Sequence, residues 1–148
     1  MTVRVTTDTF DPGAELNAFL EASHGAGAAA TFTGVVRSNP QDPITALTLE
    51  CYPELAINQL TAIVEQATKR FTLLAATIIH RYGTLTPNEP IVQVMTLSPH
   101  RQAAFDGAEF LMDYLKTDAP FWKQETSPQG THWVHAKSED DKAKARWE

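Results

Sequence analysis

Cysteine is almost absent from this chain, which contains only Cys51. An intramolecular disulfide is therefore excluded, and this cysteine usage is typical of a reducing compartment. No apolar run approaches the roughly 20 residues that a membrane-spanning helix needs. The first residues, MTVRVTTDTFDPGAEL, also lack the charged-then-apolar order of a signal peptide. The sequence therefore predicts a soluble, cytoplasmic protein.

Positive charge is also scarce, since 12 lysines and arginines face 18 acidic residues and the net charge is −6. This balance argues against broad electrostatic binding to nucleic acid or to an anionic membrane, although it allows a small basic pocket. His24, His132 and His135 lack ligand-like spacing with cysteines or acids, so no metal site is predicted. The GAGAAA stretch lacks the Gly-Lys-Ser/Thr ending of a phosphate-binding loop.

The composition that remains is that of a folded domain. The chain has 148 residues, of which 43% are hydrophobic and 20% charged, so a single core is expected. We assign residues 1–137 to one catalytic domain. Residues 138–148 form a charged C-terminal tail that is expected to be either mobile or helical.

The spacing of apolar residues predicts an alternation of helices with pairs of strands. Strands are predicted at 3–7, 26–37, 44–52, 73–83, 91–98, 121–126 and 131–136, and helices at 12–24, 53–71 and 98–117. Asp11 is expected to cap the first helix, and Gly34 to mark a bulge. This order is typical of an α+β domain with a mainly antiparallel sheet and flanking helices. The strands at 26–37 and 44–52 are expected to form a hairpin-like pair.

The SPHR stretch is the first candidate anion site. Ser98 is a suitable N-cap, Pro99 fits the first helical position, and His100 and Arg101 then lie in the first turn. Cations there oppose the helix dipole at a cost of about 0.3–1 kcal/mol each, which a bound phosphate or carboxylate would offset. The alternative is that both side chains reach solvent or pair with nearby acids.

Three further cations stand at the ends of predicted elements. Arg37 ends a strand, where its planar guanidinium suits a phosphate or simply meets water. Lys116 ends a helix, where a cation is favoured in any case. Lys123 follows Trp122 on a strand, so the two face opposite ways, and a buried Trp122 would turn Lys123 to water or into a cleft walled by aromatics. A partly desolvated lysine near other cations has a lowered pKa, which permits proton transfer or nucleophilic chemistry.

Two other reactive residue types are interpreted as structural. His80 and Arg81 form a second His-Arg pair, but they stand at a strand end before Gly83. Cys51 lies in an alternating strand without a recognisable catalytic partner.

Several segments together resemble the large, catalytic subunits of molybdopterin synthase. They are FTGVVR, LTLECYPELA, IIHRYGTLTPNEPIVQV, SPHRQAAFDGAEFLMDYLKTDAPFWKQE and HWV, in the family's order and covering about residues 28–135. The resemblance implies a hammerhead-like α+β fold and conversion of cyclic pyranopterin monophosphate to molybdopterin, in which sulfur is installed as a dithiolene. The sulfur would come from a thiocarboxylate on the C-terminal Gly-Gly tail of a small ubiquitin-like partner. Such subunits form a central homodimer with a small subunit at each end, and no further cofactor is implied.

The resemblance also assigns residues. Lys116 and Lys123 match the family's catalytic lysines, and Lys137 is a possible extra anion contact. The substrate contacts implied by motif position are Val35, Val36, Arg37, His100, Arg101, Lys116, Lys123, Gln124 and Glu125. Two departures are that Val35 stands where some relatives carry a lysine and that Cys51 stands where histidine is frequent.

The roles of the two lysines are a hypothesis. Lys123 would stabilise the partner's carbonyl as sulfur leaves or exchange protons with the pterin, whereas Lys116 would orient the tail or hold the intermediate. Two other functions use the same cations without turnover. One is an anion-binding module for a phosphorylated metabolite, and the other is a dimeric scaffold that only recruits a ubiquitin-like protein.

Helix geometry adds a prediction that does not depend on the resemblance. Arg101 and Lys116 lie 15 residues apart on one predicted helix. A rise of 1.5 Å per residue separates their backbones by about 22 Å. The sequence therefore predicts a site shared across a dimer, in which His100 and Arg101 of one chain face Lys116 and Lys123 of the other.

Overall fold

The computed structural model describes residues 2–22, 25–134 and 138–148. Its helices are α1 (Pro12–Glu21), α2 (Pro53–Phe71), α3 (Arg101–Thr117) and α4 (Ser138–Ala145). Its strands are β1 (Thr2–Thr6), β2 (Ala28–Val35), β3 (Ala46–Glu50), β4 (Ala75–Arg81), β5 (Gly83–Leu85), β6 (Pro90–Ser98), β7 (Trp122–Ser127) and β8 (Gly130–Val134). The predicted order of elements is present, with β5 and α4 in addition.

The strands form two four-stranded sheets, ordered β1-β4-β6-β2 and β5-β3-β7-β8. β1 pairs with β4 in parallel, and every other pairing among the described strands is antiparallel. The predicted α+β class with a mainly antiparallel sheet is therefore confirmed. The register of β2 shifts between Gly34 and Val35, at the expected bulge.

The predicted hairpin of β2 and β3 is wrong. β2 pairs with β6, and the chain past Arg37 carries β3 into the other sheet between β5 and β7. Val36 extends the pairing of β2 by one more residue, because its backbone N–H donates a hydrogen bond of 2.9 Å to the carbonyl of Glu89, the residue before β6. Leu47 and Leu49 of β3 instead bury themselves in a second, smaller core with Val36. Burial therefore separates two strands that are neighbours in sequence.

The main core lies between the first sheet and the helices α2 and α3. Pro53 begins α2, and its buried residues are Ala56, Leu60, Ile63, Val64 and Ala67, whereas Leu55 is 42% exposed. The last four of these buried residues pack with Ile78 of β4, Val94 of β6 and Leu111 of α3. The predicted bounds of α2, 53–71, are confirmed. Burial of such side chains contributes about 1.5–3 kcal/mol each before entropy is counted.

The connection between the two sheets runs through Gly83. The predicted strand 73–83 is interrupted there, because Gly83 adopts φ +95°, a left-handed conformation that side-chain-bearing residues rarely tolerate. The chain thereby leaves β4 in the first sheet and enters β5 in the second. This turn positions the end of β4 at the junction of the two sheets.

One large apolar residue of α3 lies outside the core. Phe105 is 60% exposed. The buried face is instead set by Ala104, Ala108 and Leu111. Phe105 lies one residue, or about 100° of rotation, away from Ala104 and therefore turns outward.

The charged C-terminal segment is helical and packs against α3. Lys144 contacts Asp118 at 2.7 Å, and the indole Nε1 of Trp147 donates to Asp113 at 2.6 Å. The Trp147 ring also packs edge-on against Phe71 and Phe110. None of the described helices combines the length and apolar character needed to cross a membrane.

Candidate functional site

A cavity of about 550 Å³ opens where the two sheets meet the C-terminal end of α3. Six of the nine substrate-contact residues predicted from the sequence line it, namely Val35, Val36, Arg37, Lys116, Lys123 and Glu125. His100, Arg101 and Gln124 do not. The structure thus brings both candidate lysines to one cavity in a single chain.

Strand alternation explains how Lys123 enters this cavity. Trp122 is 47% exposed and meets Tyr52 edge-on outside the sheet, with ring centroids 5.9 Å apart. Lys123, on the opposite face of β7, is half-buried and lines the cavity with Glu125. The premise of a buried Trp122 is wrong, but Lys123 does face a cleft, and Phe121 is one of the aromatic residues that line it. Gln124 shares the face of Trp122 and points away from the cavity.

Lys116 and Arg37 form the more exposed part of the cavity. Lys116 lies in the last turn of α3, where the negative end of the helix dipole favours its charge. Arg37 directly follows Val36, which is only 2% exposed and uses both of its backbone polar groups within the fold. Val36 therefore anchors the start of this loop, while Val35 and Arg37 are exposed on either side of it.

His80 is a cavity residue that the sequence interpretation missed. It is 7% exposed, its ring stacks on Phe121 at 3.9 Å between centroids, and its Nδ1 lies 2.8 Å from the Arg81 carbonyl oxygen. Burial, with a smaller contribution from the charges of Lys123 and Lys116, lowers the pKa of His80 to about 4 against the opposing effect of the Arg81 hydrogen bond. His80 is therefore neutral near pH 7.

Arg81 has the structural role expected from the sequence. Its guanidinium is buried, donates to the Thr7 carbonyl at 3.1 Å and reaches Glu89 at 3.4 Å. Glu89 also accepts hydrogen bonds from the backbone and hydroxyl of Thr86, and these bonds, with Arg81, lower the pKa of its carboxyl group. These contacts of Arg81 and Glu89 connect the end of β4 to the turn before β6.

The SPHR stretch begins its helix later than predicted. Ser98 is not the N-cap: it is the buried last residue of β6, and its hydroxyl donates to the His100 carbonyl. His100 is the cap residue, in an extended conformation and without a capping hydrogen bond, and Arg101 is the first helical residue. Ser98 stays in the strand because it pairs with Ala28 in β2. His100 and Arg101 are both exposed.

The length of α3 separates this pair from the lysines. The helix is continuous from Arg101 to Thr117. Lys116 therefore lies about 22 Å along the axis from Arg101. Within one chain, the two cationic groups belong to opposite ends of the helix.

The cavity combines charges of both signs. Arg37, Lys116 and Lys123 supply cations, while Asp42, Glu125 and Asp140 supply carboxylates. Three cations at one opening suit a ligand with a phosphate or carboxylate group. Within the described ranges, no group of three or more His, Cys, Asp or Glu side chains is arranged to hold a metal ion.

The remaining residues considered from the sequence lie elsewhere. Cys51 is half-buried beside Tyr52 and Trp122, and burial raises the pKa of its thiol, so it is protonated at neutral pH. His132 is exposed on β8, with Nε2 3.6 Å from the Glu125 carboxylate. His24, His135 and Lys137 lie outside the described residues.

Comparison with known proteins gives consistent matches. The family model described as MoaE protein matches residues 5–118. A curated relative from Rhizobium meliloti, named molybdopterin synthase catalytic subunit, is 50% identical over 149 residues, which span 99% of this chain and 96% of the relative.

Solved structures agree with this match. The molybdopterin biosynthesis MoaE protein from Burkholderia ambifaria aligns with a TM-score of 0.83 and 46% identity, covering 99% of this chain and 97% of that one. The molybdopterin synthase structure from Staphylococcus aureus aligns with a TM-score of 0.81 and 25% identity, covering 89% and 96%. The similarity extends over nearly the whole fold, including both sheets.

Proposed function

This chain belongs to the MoaE protein family, and from that membership we propose that it is the large, catalytic subunit of a molybdopterin synthase. It converts cyclic pyranopterin monophosphate to molybdopterin by installing sulfur as a dithiolene. The sulfur donor is the C-terminal thiocarboxylate of a small ubiquitin-like subunit, and no other cofactor takes part. Two copies of this chain form the core of a heterotetramer that works in the cytoplasm.

The observation that carries this proposal is the gathering of Arg37, Lys116 and Lys123 at one cavity of a protein whose net charge is −6. Both reactants are anionic, because the pterin carries a cyclic phosphate and the partner's tail ends in a thiocarboxylate. Cations at a partly desolvated opening attract and orient both groups. The carboxyl groups of the cavity can also accept hydrogen bonds from the neutral parts of the pterin.

The two lysines differ in burial, and this suggests a division of roles. Lys123 is half-buried, where a hydrogen bond to developing charge is strengthened by the lower dielectric constant. Its ammonium group stabilises the tail's carbonyl oxygen while the carbon–sulfur bond breaks. Lys116 is more exposed at the end of α3 and orients the incoming tail.

The site is completed by a second copy of the chain. His100 and Arg101 lie at the far end of α3 and face outward, so they can reach a cavity only on a neighbouring molecule. They supply phosphate contacts in addition to those of the cations in the cavity of one chain. The side chain of Gln124 lies on the opposite face of β7 from Lys123. Gln124 therefore contributes to the site through its backbone, either by contacting the substrate or by holding Lys123 and Glu125 in place.

Molybdopterin formation from the pterin substrate and a thiocarboxylated small subunit tests this function. Lys123→Ala should reduce the rate by roughly 100- to 1,000-fold, because it removes a hydrogen-bond donor that acts on the transition state. Lys69→Ala is the matched control, since Lys69 is exposed on α2 outside the cavity, and it should retain the wild-type rate.

Two results would contradict the proposal. Absence of product from the wild-type chain, with pterin still bound, would indicate an anion-binding module without catalysis. An equal loss in Lys123→Ala and Lys69→Ala would show that the effect does not belong to the cavity.

A further inference from the structure

Among the described polar side chains that line the cavity and to which the proposed function assigns no task, one is the most deeply buried. His80 closes the inner wall, with 7% of its surface exposed. Phe121 covers one face of its ring at a centroid distance of 3.9 Å and an interplanar angle of 12°. The ring is therefore held in one plane.

The protonation state of each ring nitrogen follows from the contacts. A backbone carbonyl can only accept a hydrogen bond, so the contact of 2.8 Å to the Arg81 oxygen requires the proton to be on Nδ1. A neutral imidazole with a proton on Nδ1 has a bare lone pair on Nε2. Burial and the nearby charges of Lys123 and Lys116 both disfavour a second proton.

Nε2 lies on the edge of the His80 ring that remains available for contact with a ligand. Among the described residues, the ring's hydrogen bonding is accounted for by Nδ1 alone. The described buried polar atoms without a hydrogen-bond partner are Nε of Arg81 and Oε1 of Gln93, and Nε2 of His80 is not one of them. This agrees with an Nε2 atom that is accessible from the cavity that His80 lines. His80 thus offers one directed, uncharged acceptor.

This acceptor differs from the other polar groups of the cavity. Arg37, Lys116 and Lys123 can only donate hydrogen bonds while charged, so they recognise the anionic ends of a ligand. Glu125 is an acidic acceptor, and its carboxyl group lies 3.6 Å from Nε2 of His132. A neutral, immobilised acceptor selects for a ligand N–H without adding charge, and a ligand that lacks the donor leaves it unpaired.

We propose that His80 is a specificity-determining residue of the reaction proposed above: its Nε2 accepts a hydrogen bond from a ring N–H or amino group of the pterin. The cations at the opening hold the phosphate and the partner's tail, while His80 identifies the heterocycle at the inner end. This inference rests on the proposed function, since the pterin is the ligand that carries such N–H donors.

Steady-state kinetics with His80→Phe and His80→Gln test the role. Phenylalanine retains a flat ring to stack on Phe121 but has no acceptor, so KM for the pterin should rise about 10- to 100-fold. KM for the thiocarboxylated small subunit should stay within about twofold, because the tail does not contact His80. Glutamine carries an oxygen near the position of Nε2 and should recover most of the pterin affinity.

A spectroscopic measurement on the unmodified protein avoids dependence on the folding of a variant. The ¹⁵N resonances of His80 should show a protonated Nδ1 and a bare Nε2 near pH 7. The Nε2 resonance should shift when the pterin substrate binds and stay unchanged with inorganic phosphate, which engages only the cations.

The outcomes separate this inference from the proposed function. A wild-type enzyme that makes molybdopterin, together with an unchanged pterin KM in His80→Phe, overturns the role of His80 alone. Equal increases of both KM values, or an Nε2 resonance that ignores the pterin, overturn it as well by indicating a purely structural residue. A wild-type chain without product overturns the proposed function itself.

Discussion

The chain contains the dipeptide His-Arg twice, in opposite surroundings. His80 and Arg81 end β4 and are 7% and 6% exposed, whereas His100 and Arg101 precede and begin α3 and are exposed. Burial removes the charge of His80 and commits Arg81 to hydrogen bonds within the fold. The side chains of His100 and Arg101 are exposed and can therefore contact a second molecule. Identical neighbours in sequence therefore acquire different chemistry from their place in the fold.

The largest effect that would test this comparison is on catalysis in mixed dimers. Co-expression of an Arg101→Ala chain with a Lys123→Ala chain places the intact Arg101 of one beside the intact Lys123 of the other. Each variant alone should lose activity about 100-fold or more. Random mixing should restore roughly one quarter of the wild-type activity, because half of the dimers then contain one intact site of two.

A matched pair of variants provides the control for this experiment. Lys116→Ala and Lys123→Ala alter residues that line the same cavity of one chain, so their mixed dimers contain no intact site. Mixing them should restore nothing. Failure of the Arg101 and Lys123 pair to recover, with mixed dimers verified by mass spectrometry, would place all of these residues in the site of a single chain.

A smaller effect is expected on stability in acid. The pKa of His80 in the folded protein, about 4, lies below the ordinary histidine value of 6.5, so the unfolded chain binds a proton first as the pH falls. The stabilisation is complete above pH 6.5 and is lost progressively down to pH 4, by about 3 kcal/mol in total. Urea unfolding of wild type and His80→Gln over this range measures it.

The variant without the buried ring provides the contrast in acid. His80→Gln should flatten the dependence of the unfolding free energy on pH between 6.5 and 4, because the glutamine side chain does not titrate. Equal slopes in wild type and His80→Gln would mean that the buried ring does not titrate as the structure implies.

The smallest effect distinguishes the two arginines. Arg81→Met leaves the Thr7 carbonyl without its donor and Glu89 without its cation, so the free energy of unfolding should fall by about 2 kcal/mol. Arg101→Met removes a solvated side chain and should change it by less than about 0.5 kcal/mol. Chemical denaturation measures both, and similar losses would show that the pairs are energetically alike.

Local signals in the sequence predicted local structure well. The apolar spacing of α2 and Pro53 at its start gave its bounds, and Asp11 caps α1 by accepting from the backbone of Gly13 and Ala14, as expected. Such features depend on neighbours within a few residues. The pairing of strands does not, and β2 and β3 were wrongly joined because their true partners lie up to about 80 residues away.

The residues that line the cavity were predictable where a motif fixed their position and not where burial decided it. The exclusion of Gln124 from the cavity follows from strand alternation, since Lys123 and Glu125 share the other face. The sequence around His80 contained no signal of this kind, because a histidine at a strand end has the same sequence pattern whether it faces solvent or a cavity. Only the stacking on Phe121, 41 residues later in the chain, reveals its position.

The parallel pairing of β1 has a consequence for how the molecule is made. Val3 lies opposite Ile78, so β1 leaves the ribosome before β4 and lacks this partner until β4 has been synthesised. Until then it is an unpaired edge open to chaperones and to misassociation. Slowing translation before β4 should therefore prolong the vulnerable period of the nascent chain, whereas a pause after it should be harmless to this strand.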